Sequence, residues 1–158
     1  MLWRIYDGAT AGLLAALAAS MFGIAIVNAL LRYFFDSPLV WGEEISRYCM
    51  VWGTLVGVAL AYRMGAHVSI TILTELVPQA IQTAWRVVCH LLVLAVAAML
   101  WRSGNILTEL LGAIQAPSSG IPMSYVYRSI AVGAVMLAIE AVRLLYSDIR
   151  LLSRRGTQ

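Results

Sequence analysis

Charge is scarce in this sequence. Only 12% of its 158 residues are charged and 61% are apolar, whereas a soluble domain carries about 25% charged residues and roughly 45–50% apolar ones. Lysine is absent. All eleven basic residues are arginine, and with eight scattered acids they leave a net charge of +3 without forming a basic patch, which excludes nucleic-acid binding as the main activity. Room for a soluble catalytic domain is also lacking. A membrane crossing takes about 20 apolar residues for roughly 30 Å of hydrocarbon, so a chain of this length is filled by four or at most five crossings. The mean hydropathy of +0.83 points the same way.

Gaps between charges mark out the elements. Gly8 to Leu31 is a run of 24 uncharged residues, and it anchors a first helix over about 8–34. A second helix is expected over 41–63, a third over 78–111 and a fourth over 122–146, with 147–158 as a polar tail. The chain thus reads as one all-α integral membrane domain of four transmembrane helices. Turn-like links at Phe35-Asp36-Ser37-Pro38, Met64-Gly65-Ala66-His67 and Ala116-Pro117-Ser118-Ser119-Gly120 imply antiparallel neighbours. Residues 68–77 are rich in β-branched side chains, but an open sheet edge is not tolerated in lipid, so this segment reads as an interfacial helix or loop. The first apolar run continues to Leu31, past any signal-peptide cleavage site, and fits an anchor.

Arginine counts set the expected orientation. With both termini cytoplasmic, Arg4, Arg63, Arg86, Arg143, Arg150, Arg154 and Arg155 lie inside and Arg32, Arg47, Arg102 and Arg128 outside, seven against four, as the positive-inside rule prefers. Cys49 and Cys89 then lie at opposite depths, which rules out a disulfide between them.

Two stripes of small residues recur every four positions: Ala11, Ala15, Ala19 and Gly23 on the first helix, and Gly53, Gly57, Ala61 and Gly65 on the second. Such stripes let helices approach closely, within the chain or against another subunit. The densest chemistry lies in the hairpin between these helices. Asn28 is the deepest amide and should hydrogen-bond a neighbouring helix. Arg32 faces Glu43 and Glu44 across the turn, Glu43 and Arg47 stand at i and i+4, and Trp41, Tyr33 and Tyr48 form an aromatic belt. Farther along, Glu109 and Arg128 come to similar depth and are a candidate ion pair.

The run from Asn28 to Tyr48, with Trp52, Gly57, Arg63, Gly65-Ala66-His67 and Gly120-Ile121-Pro122-Met123, resembles the small membrane subunit of tripartite ATP-independent periplasmic (TRAP) transporters, the DctQ-like family. The resemblance covers nearly the whole chain. It implies a bacterial inner-membrane scaffold subunit, without cofactor or catalytic residues, partnered by a large multi-spanning permease subunit and a periplasmic substrate-binding protein. In that family the large subunit carries sodium and an organic anion (a dicarboxylate, sialic acid or another sugar acid) in an elevator-like movement. Asn28, Arg32, Glu43, Glu44, Arg47, Tyr48 and His67 match the family pattern, and Trp41, Gly53 and Gly57 join them as interface candidates. Glu140 matches no part of it.

The residue chemistry agrees with a role lacking turnover, because the internal repeats and broken midplane helices of secondary transporters are missing. The alternative is a haem-bearing membrane anchor of a redox enzyme with His67 and His90 as axial ligands.

Overall fold

The computed structural model describes residues 2–65 and 79–155. Within them lie four helices: α1 (Leu2–Phe35), α2 (Val40–Arg63), α3 (Gln79–Leu111) and α4 (Ser124–Arg155). Each is long and apolar enough to cross a membrane. In hydrocarbon every backbone N–H and C=O must be satisfied within the segment, and a helix does this. The only pairing of extended backbone among the described residues is one isolated bridge between Gln115 and Pro122. His67 and residues 68–77 lie outside the described residues.

The helix ends differ from expectation in two places. The first helix begins at Leu2 instead of near Gly8, and the expected polar tail from Ser147 is helical through Arg155. Ser147 to Arg155 contains no glycine or proline, so nothing in it breaks the helix. Elsewhere the breaks have plain causes. α1 stops where Asp36 takes a left-handed φ of 51°, the Ser37 N–H turns back to the Leu31 carbonyl at 3.3 Å, and Pro38 follows, unable to extend the ladder.

The helices pack in the spatial order α1, α2, α4, α3. Successive helices are antiparallel, as the short links require. α2 and α4 are parallel neighbours: Trp52 meets Tyr125 near one end and Arg63 meets Glu140 near the other. The end carrying the α1–α2 and α3–α4 turns is termed the hairpin end, and the opposite end, near residues 2 and 155, the terminal end.

α4 is the most enclosed helix, while the most apolar stretch of α1 has no buried residue. The core is rich in small side chains, Val56 and Ala59 of α2, Ala97 of α3, and Ala131, Ala134 and Ala141 of α4, with Tyr62 of α2 and Leu137 of α4 as its larger members. Single glycines set the closest approaches. A Cβ on Gly133 would lie 2.7 Å from Leu55 Cβ, and one on Gly104 would lie 2.9 Å from the Ala131 backbone nitrogen. Neither glycine belongs to the two periodic stripes. Gly53 and Gly57 look toward Leu14 of α1 at 3.8–3.9 Å, an intrachain contact. Ala11, Ala15, Ala19 and Gly23 are exposed. Large apolar residues such as Phe22, Ile26, Leu92, Met99 and Val142 point outward, which suits a lipid surround.

Candidate functional site

At the hairpin end the predicted cluster resolves into separate pieces. Asn28 does reach across, but to backbone: its Oδ1 accepts the Leu39 N–H at 2.8 Å, at the entry to α2, where the first helical N–H groups lack partners. Gly42 leaves room for this close turn, since a Cβ there would meet Ile24 at 3.3 Å. Glu43 and Arg47 pair at 3.4 Å on an exposed surface, a contact worth at most about 1 kcal/mol. Glu44 turns the other way. Its carboxylate accepts the Ser119 N–H at 2.7 Å, tying α2 to the α3–α4 loop.

That loop is itself ordered by backbone bonds. Ala116 N–H donates to the Ile121 carbonyl at 3.0 Å and Met123 N–H to the Ile114 carbonyl at 2.9 Å, while Gly120 supplies the positive φ of 67° that a side chain would resist. Tyr48 Oη lies 3.8 Å from Met123 Sδ, and the Trp52 indole N–H donates to the Tyr125 carbonyl at 3.2 Å. Arg32 is exposed, as is Trp41, and Arg32 forms no ion pair among the described residues. Glu109 and Arg128 are likewise exposed and do not pair with each other. Their side chains open to the surroundings, where each charge is solvated separately.

The terminal end holds two polar clusters that sequence reasoning did not find. In the first, Asp7 of α1 meets Arg63 of α2 and lies 3.4 Å from Arg143 of α4. Glu140 of α4, only 2% exposed, stands 3.9 Å from Arg63 and 3.7 Å from Arg143. Two carboxylates and two guanidiniums thus balance. Without that balance, a charge held in the helix bundle would cost several kcal/mol. Trp3 lies 4.3 Å from the Arg143 guanidinium and packs edge-on against Tyr6.

In the second cluster His90 of α3 engages Tyr62 of α2 through Nδ1 and Asp148 of α4 through Nε2, the latter at 3.3 Å. Tyr62, His90 and Asp148 are all buried. Tyr62 and Arg63 are consecutive, so they leave α2 about 100° apart and serve different neighbours: Tyr62 binds toward α3 and Arg63 toward α1 and α4. α4 contributes to both clusters. The terminal ends of all four helices are thereby stitched together.

The one sign of these clusters in the sequence is Glu140, an acid inside the apolar run of the fourth helix, which requires a cation on a neighbour. His90 has both ring nitrogens engaged by neighbouring side chains, which leaves neither for axial ligation. Among the described residues no three His, Cys, Asp or Glu are grouped so as to hold a metal ion. Both cysteines are free. Polar groups here bond helix to helix and helix to loop, and between the two ends the helices meet through alanine, glycine, valine and leucine.

These features define a small helical membrane protein whose polar side chains hold its own helices together. Residues 21–151 match the DctQ component of tripartite ATP-independent periplasmic transporters, and the chain belongs to that family. A Haemophilus influenzae protein described as a TRAP transporter small permease protein is 31% identical over 131 residues, 82% of this chain and 81% of its own length. The sialic acid TRAP transporter small permease protein SiaQ of Vibrio cholerae is 22% identical over 152 residues, 96% of this chain and 88% of its own. A 74-residue stretch is 38% identical to the sialic acid TRAP transporter permease protein SiaT of Haemophilus influenzae, 47% of this chain but 12% of that protein. The chain is a small permease subunit of a TRAP transporter, a multi-pass protein of the bacterial inner membrane that works with a large permease subunit.

Proposed function

We propose that this chain is the fixed wall of a sodium-driven TRAP transporter for an organic anion: a subunit that carries neither ion nor substrate and supports an elevator-type large permease chain. One observation carries this reading. The buried charges described in the fold lie beside groups of the chain itself: Glu140 within 4 Å of two arginines, and His90 against Tyr62 and Asp148. A carboxylate balanced between two guanidiniums is held as part of the fold and not as a site that loads and releases a cation. The match to a short part of the much longer SiaT supports a tight association with the large chain, because a segment like this one occurs inside a single large permease polypeptide.

Both termini are assigned to the cytoplasm, so the hairpin end faces the periplasm. There Arg32, Trp41, Glu43 and Arg47 are exposed and form the surface offered to the periplasmic binding protein, while Glu44 and Tyr48 hold the loop behind it. Gly53 and Gly57 serve the α1–α2 seam, which leaves the exposed Ala11, Ala15, Ala19 and Gly23 face of α1 for the large permease subunit. His67 is assigned with the interface by its match to the family pattern. The substrate is an organic anion of the dicarboxylate or sugar-acid class, sialic acid among them.

Proteoliposome uptake tests this. With the large permease chain, the binding protein and an inward sodium gradient, a radiolabelled anion of this class should enter only when the small chain is present. Uptake by the small chain alone, or undiminished uptake without it, would overturn the reading.

A further inference from the structure

At its terminal end α4 presents a stripe that the helix-to-helix clusters use only at Arg143. Arg143, Tyr146 and Arg150 fall at i, i+3 and i+7, which places them on one face of the helix. Two aromatic–cation contacts follow one another along it: Arg143 over Trp3 of α1 at 4.3 Å and Arg150 over Tyr146 at 5.9 Å. Arg143 is partly committed to Asp7 and Glu140. Arg150 is exposed and forms no ion pair among the described residues. Toward the hairpin end the same face continues as an exposed apolar track, Val135, Ile139 and Val142, leading to Tyr146, itself 65% exposed. From Val135 to Arg150 the track runs about 22 Å along the axis.

We propose that this face binds one anionic phospholipid, its acyl chain along Val135, Ile139 and Val142 and its phosphate at Arg150, with Tyr146 at the junction. The chemistry of the face fits both parts of such a molecule. β-branched residues give a smooth apolar track, an aromatic ring marks the depth where headgroups begin, and an unpaired guanidinium offers a planar fork of donors to phosphate. α4 remains helical beyond Arg150 to Arg155, so the backbone continues the same face past the phosphate position. Beyond Tyr146 the sequence turns polar, with Ser147, Asp148 and Arg150, so the apolar run of α4 gives out near Arg150, where a phosphate is within reach.

Native mass spectrometry of the full chain, released from micelles containing equal phosphatidylglycerol and phosphatidylcholine, reads the binding directly. The wild-type chain should retain phosphatidylglycerol preferentially. Arg150→Gln should retain about five-fold less, the weight of one arginine near an anionic surface, and Arg150→Lys should keep most of it. Arg102→Gln, at an exposed arginine near the hairpin end, should leave retention unchanged. Equal retention by wild type and Arg150→Gln would overturn the proposal, as would an equal loss in Arg102→Gln, which would mean that any surface arginine suffices. Arg150→Gln with normal lipid retention but weakened copurification of the large permease chain would make the stripe a protein contact instead.

Discussion

Alanine placed at four glycines should separate the seams of this fold from its open faces. At Gly133 the new Cβ would stand 2.7 Å from Leu55 Cβ, whereas ordinary contact begins at 3.4 Å, so α2 and α4 must part by about 0.7 Å, the difference of the two values. At Gly104 the obstacle is the Ala131 backbone nitrogen at 2.9 Å, flanked by Ile130 Cβ at 3.1 Å. Neither obstacle is the free end of a flexible side chain. Overpacking of this kind costs about 1–3 kcal/mol, offset by up to about 1 kcal/mol because alanine is the better helix former. The net expectation is a loss of about 1–2 kcal/mol at both sites. Gly57 has its nearest neighbour, Leu14 Cδ1, at 3.8 Å, and Gly23 has nothing within 4 Å. Alanine there should range from neutral to about 1 kcal/mol stabilising. Denaturant titration of the purified chain in detergent, followed by circular dichroism, measures all four. If Gly133→Ala and Gly104→Ala prove as stable as Gly23→Ala, the α2–α4 and α3–α4 seams described above are wrong.

Asn28→Leu removes the acceptor for the Leu39 N–H and should cost about 1–3 kcal/mol, the penalty for an abandoned donor, visible as faster amide exchange at Leu39. Asp7→Asn leaves Arg63 and Arg143 sharing Glu140 alone. A cysteine pair across α1 and α4 at their terminal ends should then crosslink more slowly, and unchanged crosslinking would mean that the Asp7 contacts do not hold α1. Glu44→Leu frees the Ser119 N–H and should raise its exchange rate several-fold with α1 unaffected. For Glu109→Arg and Arg128→Glu, thermal stability changes should be small and strictly additive, since the two residues do not meet. Recovery in the double swap would show that they do.

Much of the fold was legible because membrane helices announce themselves through missing charge. The Asp36–Pro38 break and the Ala116–Gly120 loop placed the second and third crossings within a residue of α2 and α3, whereas the uncharged run from Gly8 begins six residues after α1 does. The end of α4 runs past the expected polar tail because arginine, leucine and serine after Tyr146 all continue a helix. The terminal-end clusters stayed hidden for a different reason. Asp7, Arg63, Glu140 and Arg143 come from three helices, and their meeting depends on how those helices rotate and on the parallel packing of α2 against α4, which no local pattern encodes. Glu140 alone signalled the need for a partner without naming it. The hairpin end shows the converse. Its residues were legible as a dense motif, yet Glu44 turned from its neighbouring charges to a backbone N–H contributed by Ser119, far along the chain.

The central claim, a supporting subunit bound to a large permease chain, is tested most directly by copurification. The tagged chain, extracted in mild detergent from cells that also express the large TRAP permease subunit, should bring that subunit down in a fixed ratio. Recovery of the tagged chain alone, from membranes that contain both, would contradict the account.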